Sequence, residues 1–158
     1  MNSAHVELAA EAFEAFSLEA GAQPETTLRA GEALDEYREP PSFDATLDLV
    51  TDDYLERFLY GISYVDAASW RHYLPHFIKY ALRHVEAGSD VVDALLGTLR
   101  PPDRDPPRLA SLTPKQEAVV ARVLDLLAFA PESAHQELAC QVLEEWWAPG
   151  ALDRKAAK

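Results

Sequence analysis

The amino-acid sequence predicts an all-α protein, a single-domain bundle of five to seven helices with one core helix kinked at a proline. Apolar residues recur at helical spacing in successive segments, and residues typical of helix starts and stops lie at the ends of those segments. No segment alternates apolar and polar residues as a half-buried strand would. The 158 residues suit one domain, which we place at 1–150, with 151–158 expected to be a frayed tail.

Three helices are predicted in the N-terminal part of the chain. The first covers residues 3–20, and a weaker pattern covers 27–37 within an acidic, partly irregular segment at 22–43. The third covers about 44–60 and ends at Gly61. The apolar stripes of the first and third helices are Val6, Ala9, Ala10, Phe13, Phe16 and Ala20, and Leu47, Val50, Tyr54 and Phe58.

The C-terminal part predicts four more helical segments. "SWRHYLPHFIKYAL" belongs to a helix from Asp66 to about Ala87 that kinks at Pro75, and a short helix follows up to Arg100. "PPDRDPP", residues 101–107, is a stiff surface connection. One later helix begins at Thr113, where Thr113 and Gln116 form a capping box around Pro114. The last helix begins at about Ser133. Three faces should meet in one core: Trp70 to Leu82, Val120 to Leu127, and Val142 to Trp146.

Charge is concentrated near the N-terminus. The net charge is −13, and residues 1–60 hold 14 acidic and 3 basic residues, a net of −11. A chain this acidic is repelled by phosphate backbones and anionic bilayers, so we expect neither nucleic acid nor membrane as a partner, and a basic protein as the natural complement. With one cysteine, no signal-peptide pattern at the start and no apolar run long enough to span a bilayer, we expect a cytoplasmic protein.

Two motifs in the C-terminal two thirds resemble those of a family. "SWRHYLPHFIKYAL" carries aromatic residues followed by Leu-Pro and another aromatic, and "LTPKQEAVVARVLDLL" carries Leu-Thr-x-x-Gln at a helix start. In this order they resemble a group of small bacterial proteins of unknown function, over roughly Val50 to Trp147. His72 stands where that family often has an aromatic residue, and the acidic stretch from Ala22 to Pro41 has no clear counterpart. The resemblance implies a helical domain and lends no catalytic residues.

His72 and His76 are four residues apart and could in principle bind zinc or nickel. A helix that continues through Pro75 places them on a solvent-facing ridge with Lys79 and Arg83, opposite the apolar face. The two cations have the wrong sign for the surroundings of a metal. We therefore predict no metal site, with the His72–His76 pair as the alternative.

Two further histidines are candidates for catalysis. His84 and His135 lie on apolar faces, where burial could tune either one as a general base, although a core histidine bonded to a neighbouring carbonyl or tyrosine is the commoner arrangement. Asp52, Asp53 and Glu56 could chelate a cation, but acidic residues in a first turn more often complement the helix dipole. No phosphate loop, nucleophile elbow or paired CxxC motif is present, so we predict no cofactor and favour a non-catalytic protein.

The resulting hypothesis is a cytosolic protein-interaction module with an acidic N-terminal face, such as an immunity-like or antitoxin-like inhibitor or an adaptor. The alternative is a small enzyme or ligand-binding protein that uses His84 or His135. A third possibility is self-association through the C-terminal helix, where one residue of the Trp146–Trp147 pair and Phe129 could face a partner. The predicted partner-binding residues are Glu7, Glu11, Glu14, Glu32, Asp35, Glu36 and Glu39.

Overall fold

The computed structural model describes residues 2–151 and Arg154, and in this part of the chain it is all-helical, which confirms the predicted class. Its eight α-helices are α1 Ser3–Ala15, α2 Ser17–Ala20, α3 Leu28–Asp35, α4 Asp52–Phe58, α5 Ala67–Arg83, α6 Asp90–Thr98, α7 Pro114–Phe129 and α8 Gln136–Val142. Two 3₁₀ helices, Leu59–Tyr64 and Leu109–Ser111, and one π-helical turn, Leu143–Trp147, lie between and after them. The predicted count of five to seven is not confirmed, because the first predicted helix divides into α1 and α2.

Side-chain caps fix where several of these helices begin. The capping box of α7 is present, since the Thr113 hydroxyl accepts from the Gln116 N–H and the Gln116 side chain accepts from the Thr113 N–H. Asp66 caps α5 through the Ser69 N–H at 3.1 Å. These bonds satisfy N–H groups that have no partner inside the helix, and the sequence signals for both caps are local.

Helix α5 lies at the centre of the molecule and runs without interruption through Pro75. It packs against α1, α2 and α6, and its apolar face is almost fully buried. That face joins the inner faces of α7 and the C-terminal helix in one continuous core, as the sequence predicted. The continuity of α5 is established, whereas the kink at Pro75 stays a prediction.

Helix α1 is rotated relative to the predicted stripe. His5, Leu8 and Ala12 are buried, whereas Val6 is 51% exposed. The predicted face was chosen from apolar identity alone, and it left out His5, which hydrogen-bonds to Asn2 at the N-cap. Because α1 packs against both α5 and α7, it buries a face set by two neighbours.

The helix predicted over about 44–60 begins only at Asp52, so the prediction was wrong for its first half. Thr51 caps α4, and the preceding residues form turns around the buried carboxylate of Asp48. This carboxylate accepts the Asp44 N–H at 2.8 Å and two bonds from Arg29. A side chain that bonds the backbone of its own segment competes with helix formation.

Two glycines allow α3 to cross the 3₁₀ helix Leu59–Tyr64 at backbone distance. A Cβ atom at Gly31 would lie 2.4 Å from the Gly61 carbonyl oxygen, and one at Gly61 would lie 2.1 Å from the Leu28 carbonyl oxygen. Neither oxygen is on a flexible side chain, so no other residue fits at either position without moving the backbone. The crossing fixes α3 against the segment that ends in Tyr64.

The C-terminal helix changes from α to π geometry at Leu143, and this turn buries both tryptophans. Trp146 and Trp147 are each less than a tenth exposed, and the Trp147 indole donates to the Leu99 carbonyl at 2.9 Å. The expectation that one of them faces a partner was therefore wrong for this chain. A π turn holds more residues than an α turn, which changes the angle between consecutive side chains.

Most of the predicted tail at 151–158 lies outside the described residues. Ala151 is buried, and the Arg154 guanidinium donates to Glu117 of α7 at 2.8 Å. Within the described part of the chain, no helix has the length and apolar character needed to cross a bilayer.

Candidate functional site

The histidine pair of α5 is half-buried, which corrects the expectation of a solvent-facing ridge. The His72 Nδ1–H donates to the Glu19 carbonyl at 2.8 Å, and the His76 ring packs edge-on against Phe13 with 5.0 Å between ring centroids. Helices α1 and α2 thus cover both rings, whose centroids are 5.9 Å apart. Burial, followed by the positive charges of His72 and Lys79, lowers the pKa of His76 from its ordinary value to about 4.

The two cations predicted beside these histidines are placed differently from each other. Lys79 is exposed, whereas Arg83 forms an ion pair with Asp52 at the start of α4. Glu56, which the sequence placed with Asp52 as a candidate cation ligand, accepts a hydrogen bond from the Tyr80 hydroxyl at 2.8 Å. No group of three or more histidine, cysteine or carboxylate side chains within the described residues is arranged to hold a metal ion.

His84 and His135 are connected through the backbone. The His84 ring stacks on Tyr80 with 3.9 Å between centroids, and its Nδ1–H donates to the Tyr80 carbonyl at 2.8 Å. The His135 ring is buried, and its Nε2–H donates to the His84 carbonyl at 3.0 Å. His135 has the geometry of a core histidine that bonds a carbonyl, whereas His84 keeps Nε2 without a protein partner in the described chain.

A cleft of about 410 Å³ opens beside His84. His5, Glu86 and Glu132 also line it. The His5 Nε2 accepts from the Asn2 side chain at 3.3 Å, so the α1 N-cap forms part of the wall. Two histidines and two carboxylates therefore converge on one polar depression between α1 and the carboxyl end of α5.

The acidic residues of α1 are mostly engaged inside the molecule. Glu11 forms an ion pair with Arg122, and Glu14 forms one with Lys115 at 3.2 Å, so both dock on α7. Glu7 is exposed. Two of the three predicted partner-binding carboxylates of α1 are therefore paired with cations of α7.

The acidic residues at the carboxyl end of α3 lie in a different part of the fold. Asp35 accepts the Tyr64 hydroxyl, Glu36 is 3.1 Å from Arg38, and Glu39 is exposed. Glu32 is half-buried, and burial, followed by the charges of Glu36 and Asp35, raises its pKa. The seven predicted partner-binding carboxylates therefore form two groups, one on α1 and one around α3.

Most of the exposed large apolar side chains lie in the stretch of chain from the end of α3 to the 3₁₀ helix that packs against it. Ten such side chains are exposed in the described chain, and seven of them fall between residues 34 and 64. They are Leu34, Tyr37, Phe43, Leu47, Leu49, Tyr60 and Tyr64. We call these seven residues, together with Asp35, Glu36 and Glu39, the acidic–aromatic surface.

Tyr37 is the most unusual residue of the acidic–aromatic surface. It is 99% exposed, and its φ of 57° places it in the left-handed region. The Arg38 N–H bonds the Ala33 carbonyl at 2.8 Å and the Tyr37 N–H bonds the Leu34 carbonyl at 3.1 Å, which is the Schellman arrangement at the end of α3. Glycine usually occupies this position, since a side chain there is strained. Tyr37 therefore sits at an energetic cost and buries nothing in return.

Sequence analysis missed the network that anchors this surface. Asp48 is buried and accepts from Arg29 at 2.9 Å and from the Tyr54 hydroxyl at 2.8 Å, while the Tyr73 hydroxyl accepts the Leu28 N–H. Burial alone would raise the pKa of Asp48, but the bonds from Arg29, Asp44 and Tyr54 hold it below its ordinary value. Arg29 is 19 residues away from Asp48 and Tyr73 is 45 residues away from Leu28, and no spacing rule links either pair.

The fold and these features define a small all-helical protein that presents an acidic–aromatic surface and a histidine-lined cleft. The chain belongs to DUF6714, a family of unknown function, whose model matches residues 4–151. No curated protein and no solved structure is significantly similar to it. Membership of a family of unknown function agrees with the resemblance found in the sequence, while the bacterial origin and the two motifs stay predictions.

Proposed function

We propose that the chain is a non-catalytic interaction module of the bacterial cytoplasm that binds a basic protein through the acidic–aromatic surface. An inhibitor of the immunity or antitoxin type, or an adaptor, would act in this way. The observation that carries the proposal is Tyr37, a fully exposed aromatic residue held in a conformation that disfavours it. Such local strain is retained where the surrounding fold enforces it, and it recurs at functional positions.

The apolar part of the surface supplies the contact area. Aromatic residues are enriched at binding hot spots because they bury much area with few rotatable bonds. Tyr37, Tyr60 and Tyr64 also carry hydroxyl groups, which suits them to a surface that is wet when free and dry when bound. Contiguous exposed apolar groups rimmed by charge are typical of partner-binding sites.

The charge of the same region selects the partner. Residues 34–64 contain eight acidic and two basic residues, a net charge of −6. Ion pairs with arginine already take up Asp48, Asp52 and Glu36, which leaves Asp35 and Glu39 as the carboxylates near Tyr37 that can act on an incoming molecule. Complementary charge accelerates association by something like 10 to 1,000-fold at low salt and favours a basic partner over an acidic one.

The ion pairs of α1 favour a contact around α3 over one on α1. Glu11 and Glu14 neutralise cations of α7, and their removal would disturb that packing as well as any partner. Self-association through the C-terminal helix has less support, since Trp146 and Trp147 are both buried and Phe129 is the large exposed residue nearby.

The experiment is affinity capture from a lysate of the source organism at low salt, followed by measurement of the dissociation constant for the captured protein. In a Tyr60→Ser, Phe43→Ser double variant we expect binding to weaken about 30-fold or more, the effect of losing a hot spot. The matched control is Leu18→Ser, Phe129→Ser, which removes two exposed apolar residues elsewhere.

The proposal requires a basic captured protein that the control variant binds as well as the wild type does. Equal binding by the Tyr60→Ser, Phe43→Ser variant, or a captured protein that is acidic, would rule out the acidic–aromatic surface as the contact. Light scattering on the free protein provides the check on self-association, because the Phe129→Ser change reduces only that reaction.

A second candidate function is small-ligand binding in the cleft beside His84. The specific observation is the Nδ1–H bond from His84 to the Tyr80 carbonyl, which leaves Nε2 as the basic nitrogen at a cleft of about 410 Å³. This candidate requires small molecules whose binding, followed by NMR, is lost in a His84→Gln variant. If a broad fragment set gives no binder that depends on His84, the candidate is wrong.

A further inference from the structure

A buried arginine follows the proline-rich connection at residues 101–107. Arg108 is 5% exposed, and its Nη2 donates to the Val65 carbonyl. This is the one hydrogen bond that its side chain makes within the described residues, although a guanidinium has five N–H donors. No carboxylate of the described chain lies within the 4.0 Å that would make an ion pair with it.

The nearest carboxylates are engaged elsewhere. Asp103 accepts four backbone N–H groups of its own loop, those of Arg104, Arg108, Leu109 and Ala110, at 2.8 to 2.9 Å. Asp66 accepts from the Ser69 N–H and hydroxyl at the start of α5. Burial, followed by the positive charge of Arg104, lowers the pKa of Arg108 to about 10. The charges of Asp66 and Asp103 favour the Arg108 cation from a distance, but neither carboxylate bonds its guanidinium. A buried charge is costly unless it is directly paired, so a further anionic partner would stabilise this site.

Arg108 lines a cleft of about 220 Å³ together with Arg104, Arg100, Thr98 and Ser63. Asp103 lines it as well, with its carboxylate held by the four backbone N–H groups of its loop. Arg100 is matched by Glu145, to which it donates at 2.7 and 2.9 Å. Arg104 is exposed and has no ion pair within the described residues. We call this depression the arginine cleft. Its volume is below that of pockets for drug-sized molecules, so it suits a small group.

We propose that the arginine cleft binds an oxyanion of the phosphate class, either the free ion or the terminal group of a small molecule. Arg108 is the buried anchor, and Arg104 closes on the ligand from the rim. Planar guanidinium groups match the oxygens of phosphate in bidentate geometry, and such charge-assisted bonds are the stronger class of hydrogen bond. The cleft adjoins the acidic–aromatic surface, since Ser63 lines the cleft and Tyr64 is the next residue. The anion proposal nevertheless does not depend on the proposed function.

The test is calorimetric titration of the whole protein with inorganic phosphate and with phenyl phosphate, in chloride buffer of matched ionic strength. We expect saturable binding that weakens about tenfold or more in Arg104→Gln and in Arg108→Met. Arg122→Gln is the control, since it also removes one positive charge, from a residue on α7 that pairs with Glu11. Arg104→Gln changes an exposed residue, so it tests the proposal even if Arg108→Met fails to fold.

Tighter binding of phenyl phosphate would identify a terminal phosphate group as the ligand, and tighter binding of inorganic phosphate would identify the free ion; both support the site. The absence of saturable binding to the wild-type protein would overturn the proposal. Equal affinities in the wild type, Arg104→Gln and Arg122→Gln would overturn it as well, because the anion would then bind elsewhere.

Discussion

At the scale of single residues, His76 links the packing of α1 to protonation. The His76 ring projects from α5 against Phe13 of α1, and burial of the ring favours its neutral form. His72 and Lys79 act in the same direction, since a charged His76 would add a third positive group to one face of α5. The packing of α1 therefore requires an uncharged ring at this position.

This requirement predicts acid sensitivity. The pKa of His76 is about 6.5 in the unfolded chain and about 4 in the folded one, so the ring is neutral in both states at pH 8. As the pH decreases, the unfolded state binds the proton first, and this favours unfolding. The wild type should therefore lose up to about 3 kcal/mol relative to His76→Gln between pH 7 and pH 4. Urea unfolding of both proteins across this range measures the difference.

Titration of the many carboxylates contributes to both curves and cancels in the comparison. Parallel loss of stability in the wild type and in His76→Gln would contradict the assigned burial of the ring. NMR titration of the His76 ring in the folded protein provides an independent check on the direction of its pKa shift.

At the scale of elements, the crossing of α3 and the 3₁₀ helix Leu59–Tyr64 depends on two missing side chains. Gly31 and Gly61 allow the backbones of the two elements to touch, and the hydrogen bond from the Tyr64 hydroxyl to Asp35 joins the same two elements. This contact holds together the two segments that carry Tyr37 and Tyr60. The geometry of the acidic–aromatic surface is therefore set by packing beneath it.

Gly31→Ala should destabilise the protein by about 1 to 3 kcal/mol or more, because the added Cβ meets a backbone oxygen that cannot move aside. Gly97→Ala in α6 is the matched control. Its Cβ has no atom within 4 Å, so the usual preference of helices for alanine should stabilise the protein by up to about 1 kcal/mol. Chemical denaturation measures both, and a neutral Gly31→Ala would mean that the crossing is looser than described.

The sequence predicted elements whose signals are local. The capping box at Thr113 and Gln116 and the apolar face of α5 depend on residues within a few turns of each other, and both are present. The predicted start of α4 was wrong because Asp48, within the predicted helix, bonds Arg29 on a different helix. Such partners come together only after the chain has folded, and no periodicity encodes them.

The candidate site was less predictable than the fold for the same physical reason. The carboxylates of α1 form the clearest acidic stripe in the sequence, yet two of them pair with α7, more than 90 residues away. No sequence pattern predicted the left-handed conformation of Tyr37, because that position usually holds glycine and not an aromatic residue. The buried Arg108 side chain bonds the carbonyl of Val65, which is 43 residues away in sequence.

At the scale of the whole molecule, charge and apolar surface are distributed unevenly. Ion pairs tie α1 to α7 through Glu11 and Glu14, which uses part of the acidic excess to hold the fold together. At the end of α3 and in the segments that follow it, carboxylates and large apolar side chains remain exposed. We propose that this second region is retained for binding and not for stability.

Substitution of Tyr37 by glycine tests this claim most directly, with unfolding free energy and affinity for the captured basic protein measured on the same sample. Glycine relieves the strain at φ 57° and removes a side chain that contacts solvent, so stability should rise by about 0.5 to 1 kcal/mol. Binding should weaken about 30-fold, the loss expected for a hot-spot aromatic. A variant that is less stable than the wild type, or one that binds the partner with unchanged affinity, would contradict the claim.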